Sequence, residues 1–168
     1  MPQYSLKTIL STFSKANGKK RLLFNNGPIG GLSSTIVALI LYSLPFISFA
    51  IIFKTSIFTT LGIATSIILF IISSSIIMIT VFIVAIKAKK DVLKAVTASW
   101  NSYFEDIDID LVLASTKTPY SDFFQYYEKV KDLEQTEDEL HKYLIDSFKA
   151  MREDNKDLIE AMQRDNKI

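Results

Sequence analysis

Cysteine is absent from this sequence, and histidine occurs once. Without thiols there is no disulfide, no thiolate metal site and no catalytic cysteine, and His141 alone cannot build a zinc site. Charge is missing where its absence is most informative: between Arg21 and Lys87 the one charged residue is Lys54. The uncharged runs 22–53 and 55–86 each exceed the ~20 residues with which a helix crosses a ~30 Å hydrocarbon core. Neither run holds Asp, Glu or His, the groups on which proton relays and ion-coupled transporters depend within a membrane. No glycine-rich phosphate loop follows a strand, GxSxG is absent, and the lone histidine supports no believable Ser/His/Asp set. These absences predict a non-enzymatic protein with no cofactor and no metal.

What is present is sorted along the chain. Of the 18 acidic residues in the 168, 17 fall in residues 101–168, against 9 bases there. Residues 1–31 hold Lys7, Lys15, Lys19, Lys20 and Arg21 and no acid. The net charge of +1 therefore hides a polarised molecule, and the acidic C-terminal part argues against a nucleic-acid partner. Lysines flank the outer ends of both runs (Lys15, Lys19, Lys20 and Arg21; Lys87, Lys89, Lys90 and Lys94), while the turn between them has Lys54 alone. Basic flanks stay on the cytoplasmic side, so both termini are expected there. A cleavable signal peptide is not expected, because the first apolar run is too long and too far in. Pro2 removes the glycine that myristoylation needs.

The expected fold is all-α: a two-helix transmembrane hairpin with a C-terminal cytoplasmic helical domain and membrane lipids as partners. Residues 1–31 form a basic arm, in which Tyr4, Leu6, Ile9, Leu10 and Phe13 recur at near-helical spacing and read as an amphipathic helix lying on the lipid surface. Asn25-Asn26-Gly27-Pro28 and Gly30-Gly31 mark a turn. Residues 32–53 form the first span, with Pro45 expected to kink it and Ser43 and Ser48 near enough to relieve the lost hydrogen bond. Residues 56–86 form the second span, about 46 Å as a helix. No Gly or Pro intervenes before Phe104, so that helix should run on into the domain at 87–168. Thr118-Pro119 reads as the cap of a third helix, and Thr136-x-x-Glu139 as a capping box opening a fourth. Asp106, Asp108 and Asp110 match the start of an EF-hand loop, but Leu111 and Lys117 stand where Gly and Glu are needed; an acidic turn is expected instead.

Two patterns carry functional expectations. Thr59, Ser66, Ser73 and Thr80 recur every seventh residue, with Gly62 on the same side. Such a stripe either packs against another membrane helix or, in an oligomer, lines a wettable path. On the last helix, Leu144, Phe148, Met151, Asn155, Leu158 and Met162 alternate steps of four and three, a short heptad seam for self-association or for packing on the third helix.

Lys19-Lys20-Arg21 before the first span, the Lys87–Phe104 continuation of the second, and the aromatic helix Asp122-Phe-Phe-Gln-Tyr-Tyr together resemble the SLATT proteins, over roughly residues 15–130. These are bacterial two-transmembrane effector domains associated with nucleotide signalling. The resemblance implies an oligomeric effector of the bacterial inner membrane, controlled by a signalling or regulatory protein partner and permeabilising the membrane in anti-phage defence. If the chain senses a nucleotide itself, Lys19–Arg21 and Lys87–Lys94 are its anion-attracting clusters. The residues alone also allow an adaptor subunit of a larger membrane complex, or a phage holin.

Overall fold

The structure, a computed structural model, describes residues 2–165. Among these the regular elements are all helical: α1 (Leu6–Phe13), α2 (Ser34–Ile52), α3 (Thr55–Tyr103), α4 (Ile109–Leu113), α5 (Phe123–Val130), α6 (Glu137–Asp154) and α7 (Lys156–Asp165). A 3₁₀ turn at Gly27–Ile29 precedes α2.

Helices α2 and α3 form the hairpin. Each is long and apolar enough to cross a membrane. They are also apolar all round: Leu39, Tyr42 and Phe46 on α2 and Met78 and Phe82 on α3 are exposed. Helices of this kind belong in a large core or in lipid, and here no protein covers them. The 3₁₀ turn and the asparagines before it set the entry to α2. Asn25 Oδ1 accepts from the Ser34 amide at 2.8 Å, and the Ser33 hydroxyl from that of Thr35 at 3.3 Å, so two of the first turn's free N–H groups are met.

As expected, α3 continues from the apolar run as far as Tyr103. It has one interruption: Gly62 sits at φ 76° and ψ 168°, a conformation that side-chain-bearing residues rarely adopt. Beyond Ile86 the helix enters the helical domain, where Val92, Val96 and Trp100 lose all solvent contact.

The N-terminal helix lies elsewhere than expected. Leu6, Ile9, Leu10 and Phe13 are fully buried within the domain, packed against α3 and α6, so protein rather than lipid covers this face. Periodicity reports an apolar stripe but not what covers it. The chain then turns back through a tight loop, with Gly18 at φ 80° and so close to α5 that an added Cβ would stand 2.7 Å from the Glu128 Cα.

Two further expectations change. Thr118 does not cap α5, which begins at Phe123. Its hydroxyl instead donates to the Leu111 carbonyl at 2.9 Å and accepts from the Tyr120 amide at 3.3 Å, closing a turn. The acidic segment is also a cap: Asp108 precedes α4 and accepts from the Asp110 amide at 2.9 Å. The capping box at Thr136 and Glu139 is present as expected.

Candidate functional site

The hydroxyl stripe divides into parts with different surroundings. Ser66 is fully buried, and Ser73 is half-buried, 2.6 Å from the Ser48 hydroxyl of α2. These two therefore face the partner helix of the same hairpin. Thr59, Gly62 and Thr80 are exposed, and the two threonines donate back to the carbonyls of Thr55 and Ile76, at 2.8 and 2.9 Å. Two causes break the stripe. A seven-residue repeat drifts by ~20° per turn pair on a straight helix, and the backbone break at Gly62 separates Thr59 from everything after it.

Two buried hydroxyls of α3, those of Ser66 and Ser74, have no partner. Hydroxyls within helices can bond the carbonyl four residues back, as Thr59, Thr60, Ser75 and Thr80 do. For Ser66 that carbonyl belongs to Gly62, which has left helical geometry, and the buried Ser66 Oγ has no partner. Ser48 is occupied by Ser73, and Ser43 donates to the Ile40 carbonyl at 2.7 Å. Neither hydroxyl therefore acts as the expected relief for Pro45.

Towards the turn, aromatic rings hold the hairpin. Phe49 stacks on Phe53 at 4.6 Å, and both meet Phe70 edge-on at 5.8 and 6.1 Å. Phe53 also lies 5.7 Å from Phe58. Offset and edge-to-face contacts of this kind add to simple burial.

At the other end, α3 is gripped by the domain. Trp100 donates from Nε1 to the Ile107 carbonyl at 2.7 Å and meets Phe13, Phe104, Phe123 and Phe148. The Ser99 hydroxyl accepts the amides of Gln3 and Tyr4 at 3.0 and 3.1 Å, fixing the start of α1 on α3. Glu137 joins three elements, because its Oε1 accepts both the Leu6 amide at 2.8 Å and the Tyr103 hydroxyl. The bond from Tyr103, helped by that from Leu6, holds the Glu137 carboxyl below its ordinary range. Burial, then the bond to Glu137, pushes the Tyr103 hydroxyl up to about 12.

The basic cluster before the first span is spent on structure. Lys20 donates to the carbonyls of Leu113 and Ala114 at the end of α4, where a helix dipole favours a cation. Burial, and then the charge of Lys89, lowers its ammonium pKa. Arg21 donates to the Ser14 carbonyl at 2.5 Å and the Ser34 hydroxyl at 3.1 Å, and Lys19 pairs loosely with Glu128 at 3.8 Å. Lys19–Arg21 is thus not a free anion-attracting cluster, whereas Lys87, Lys89, Lys90 and Lys94 remain exposed.

The C-terminal seam is interrupted. Leu144, Phe148 and Met151 are buried in the domain core, and Phe148 stacks on Phe123 at 5.4 Å. Asn155, expected inside a continuous seam, ends α6 instead, its Nδ2 donating to the Met151 carbonyl at 2.9 Å. Leu158 and Met162 follow on α7, half-buried. The six residues therefore belong to two helices and do not form one straight face for a second copy. Local hydrogen bonding by Asn competes with helix continuation, which a heptad count does not register.

Among the described residues, no three His, Asp or Glu side chains lie close enough to hold a metal ion. His141 Nε2 lies 2.9 Å from the Tyr103 carbonyl oxygen. Comparison with protein-family models, with curated proteins and with solved structures finds no match.

Proposed function

We propose that the chain is a non-enzymatic membrane effector. Its hairpin spans the bacterial inner membrane with both termini cytoplasmic, assembles with further copies, and permeabilises the membrane under control of the helical domain and a signalling partner. The observation that carries this reading is the course of α3. After Gly62 the same helix forms an apolar span and then supplies Trp100 to the centre of the domain. A change in the packing of α1 or α6 around Trp100 is thereby transmitted to the span as a rigid movement. The SLATT-like layout supports an anti-phage setting, and the exposed apolar faces of α2 and α3 provide surface for assembly in lipid.

In this account the structure corresponds to a closed hairpin. Ser66 and Ser73 are turned to α2, so a conducting form requires the two spans to part. Because the sequence has no cysteine, the pair Ser48→Cys and Ser73→Cys can lock them together. The hydroxyls stand 2.6 Å apart, and a disulfide needs its sulfurs at about 2.05 Å. At protein-to-lipid ratios high enough to drive assembly without the signalling partner, proteoliposomes of the wild-type chain should release entrapped dye, the oxidised double variant should not, and dithiothreitol should restore release. Silence of the wild-type protein at every protein-to-lipid ratio would favour an adaptor that docks a larger complex. The specific observation on that side is the closure of the hairpin on itself by the Ser48–Ser73 bond and the Phe49/Phe53/Phe70 cluster.

A further inference from the structure

Where the hairpin meets the domain, a slot opens between α2, α3 and the loop that precedes α2. It consists of two adjoining cavities of about 170 and 210 Å³ that share Leu23 as a wall. Phe24, Val37 and Val84 line the first, and Leu41, Val81 and Ala85 the second. The walls are thus apolar over both, and the rim of the first carries Lys87 and Asp91. Leu32, which also lines the first cavity, is 69% exposed, and Leu22, next in sequence to Leu23, is 98% exposed.

Given the membrane reading, on which this inference rests, the apolar part of the slot faces hydrocarbon and its rim lies at headgroup depth. We propose that the slot binds one anionic phospholipid, with an acyl chain against Leu23 between the two spans and the headgroup at Lys87. The charges at the rim select the sign. Lys87 forms no ion pair among the described residues. Arg21 has its Nε and Nη1 taken by the Ser14 carbonyl and by the Ser34 hydroxyl of the slot wall, so it offers no free donor there, but no acid pairs with it among the described residues and its positive charge stands beside the slot. Asp91 is the opposing carboxylate at the rim, one acid against these bases. A second copy of the chain would bring the same positive rim against this one, so like-charge repulsion disfavours it as occupant. Each basic side chain near an anionic lipid surface adds attraction, and the apolar slot restricts it to one bound lipid.

The test uses the full chain in phosphatidylcholine nanodiscs doped with phosphatidylglycerol, with retained lipid read by native mass spectrometry. Three variants are compared with the wild type: Lys87→Glu at the rim, Ala85→Phe to fill the slot, and Lys90→Glu as an exposed charge outside it. Helix content by circular dichroism checks that each variant folds, and retention in the membrane pellet after an alkaline wash reports insertion separately. The expected result is one phosphatidylglycerol held by the wild type and by Lys90→Glu, and at least about tenfold less by the other two. Equal retention by all four proteins, or none by a wild type that stays in the pellet, would overturn the slot while leaving the membrane reading standing. Release of the wild type by the alkaline wash would overturn both.

Discussion

Single side chains decide which face of the second span is structural. Ser66 and Ser73 look alike in the seven-residue repeat, yet one has a partner and the other has none. Their alanine variants should therefore separate. Ser73→Ala removes the bond between the spans and should lower the unfolding free energy in detergent by about 1 kcal/mol. Ser66→Ala removes an unsatisfied hydroxyl and should leave stability unchanged or raise it. Equal losses at both positions would contradict the surroundings described for them. Glu137 makes a pH prediction. Its carboxyl is held below the ordinary range, so the stability it contributes is present above about pH 4.3 and is lost as pH falls through the lower folded value. Tyr103, raised to about 12, contributes stability that is present below about pH 10 and is lost as pH rises through the folded value. Thermal midpoints measured against pH should show both limbs, and Glu137→Gln should weaken both, the acid limb that remains belonging to Glu139, whose carboxyl the Thr136 bonds also hold low.

Among the elements, what the sequence displayed depended on the range of the signal. Uninterrupted apolar composition and the lack of Gly or Pro before Phe104 marked both spans and the run of α3 into the domain. The Thr136/Glu139 box marked the start of α6, because its signal is complete within four residues. Three features depended on contacts that the local pattern does not contain. The stripe at Leu6, Ile9, Leu10 and Phe13 was visible, but its burial by α3 and α6 was not. The heptad steps through Leu144 and Met162 were real as spacing, yet Asn155 caps α6 and breaks them. Gly62 was read as part of a stripe that packs on a helix or lines a path, and its positive-φ backbone interrupts α3 there. The slot had no sequence signal, since Leu41, Val84 and Lys87 are brought together by the antiparallel return of α3 on α2, and Leu23 by the loop that precedes α2. The broken seam has a testable consequence. Ending the chain at Asn155 should keep the domain folded, with a thermal midpoint close to that of the full chain. Phe148→Ala, within the core, should cost about 3–5 kcal/mol; a larger loss from the truncation than from Phe148→Ala would reverse the roles given to α6 and α7.

At the scale of the whole molecule, two bodies of opposite character share one helix. The hairpin has no charge between Arg21 and Lys87 other than Lys54 at its turn, while residues 87–168 hold all 18 acids and a closed aromatic core surrounds Trp100. The domain covers its own apolar surface; the hairpin does not, and its exposed Leu39, Phe46, Met78 and Phe82 mark a surface for a membrane or another protein. The proposed coupling between the two rests on the continuity of α3, and it has meaning for function only if the hairpin crosses a membrane with the domain on the side of the termini. Single cysteines placed in the cysteine-free chain at Lys54, Asn17 and Glu134 test this most directly, by labelling intact cells with a membrane-impermeant maleimide. The account predicts labelling of Lys54→Cys from outside, and of Asn17→Cys and Glu134→Cys only after the cells are opened. Labelling of all three from the same side, or protection of Lys54→Cys in intact cells, would contradict it.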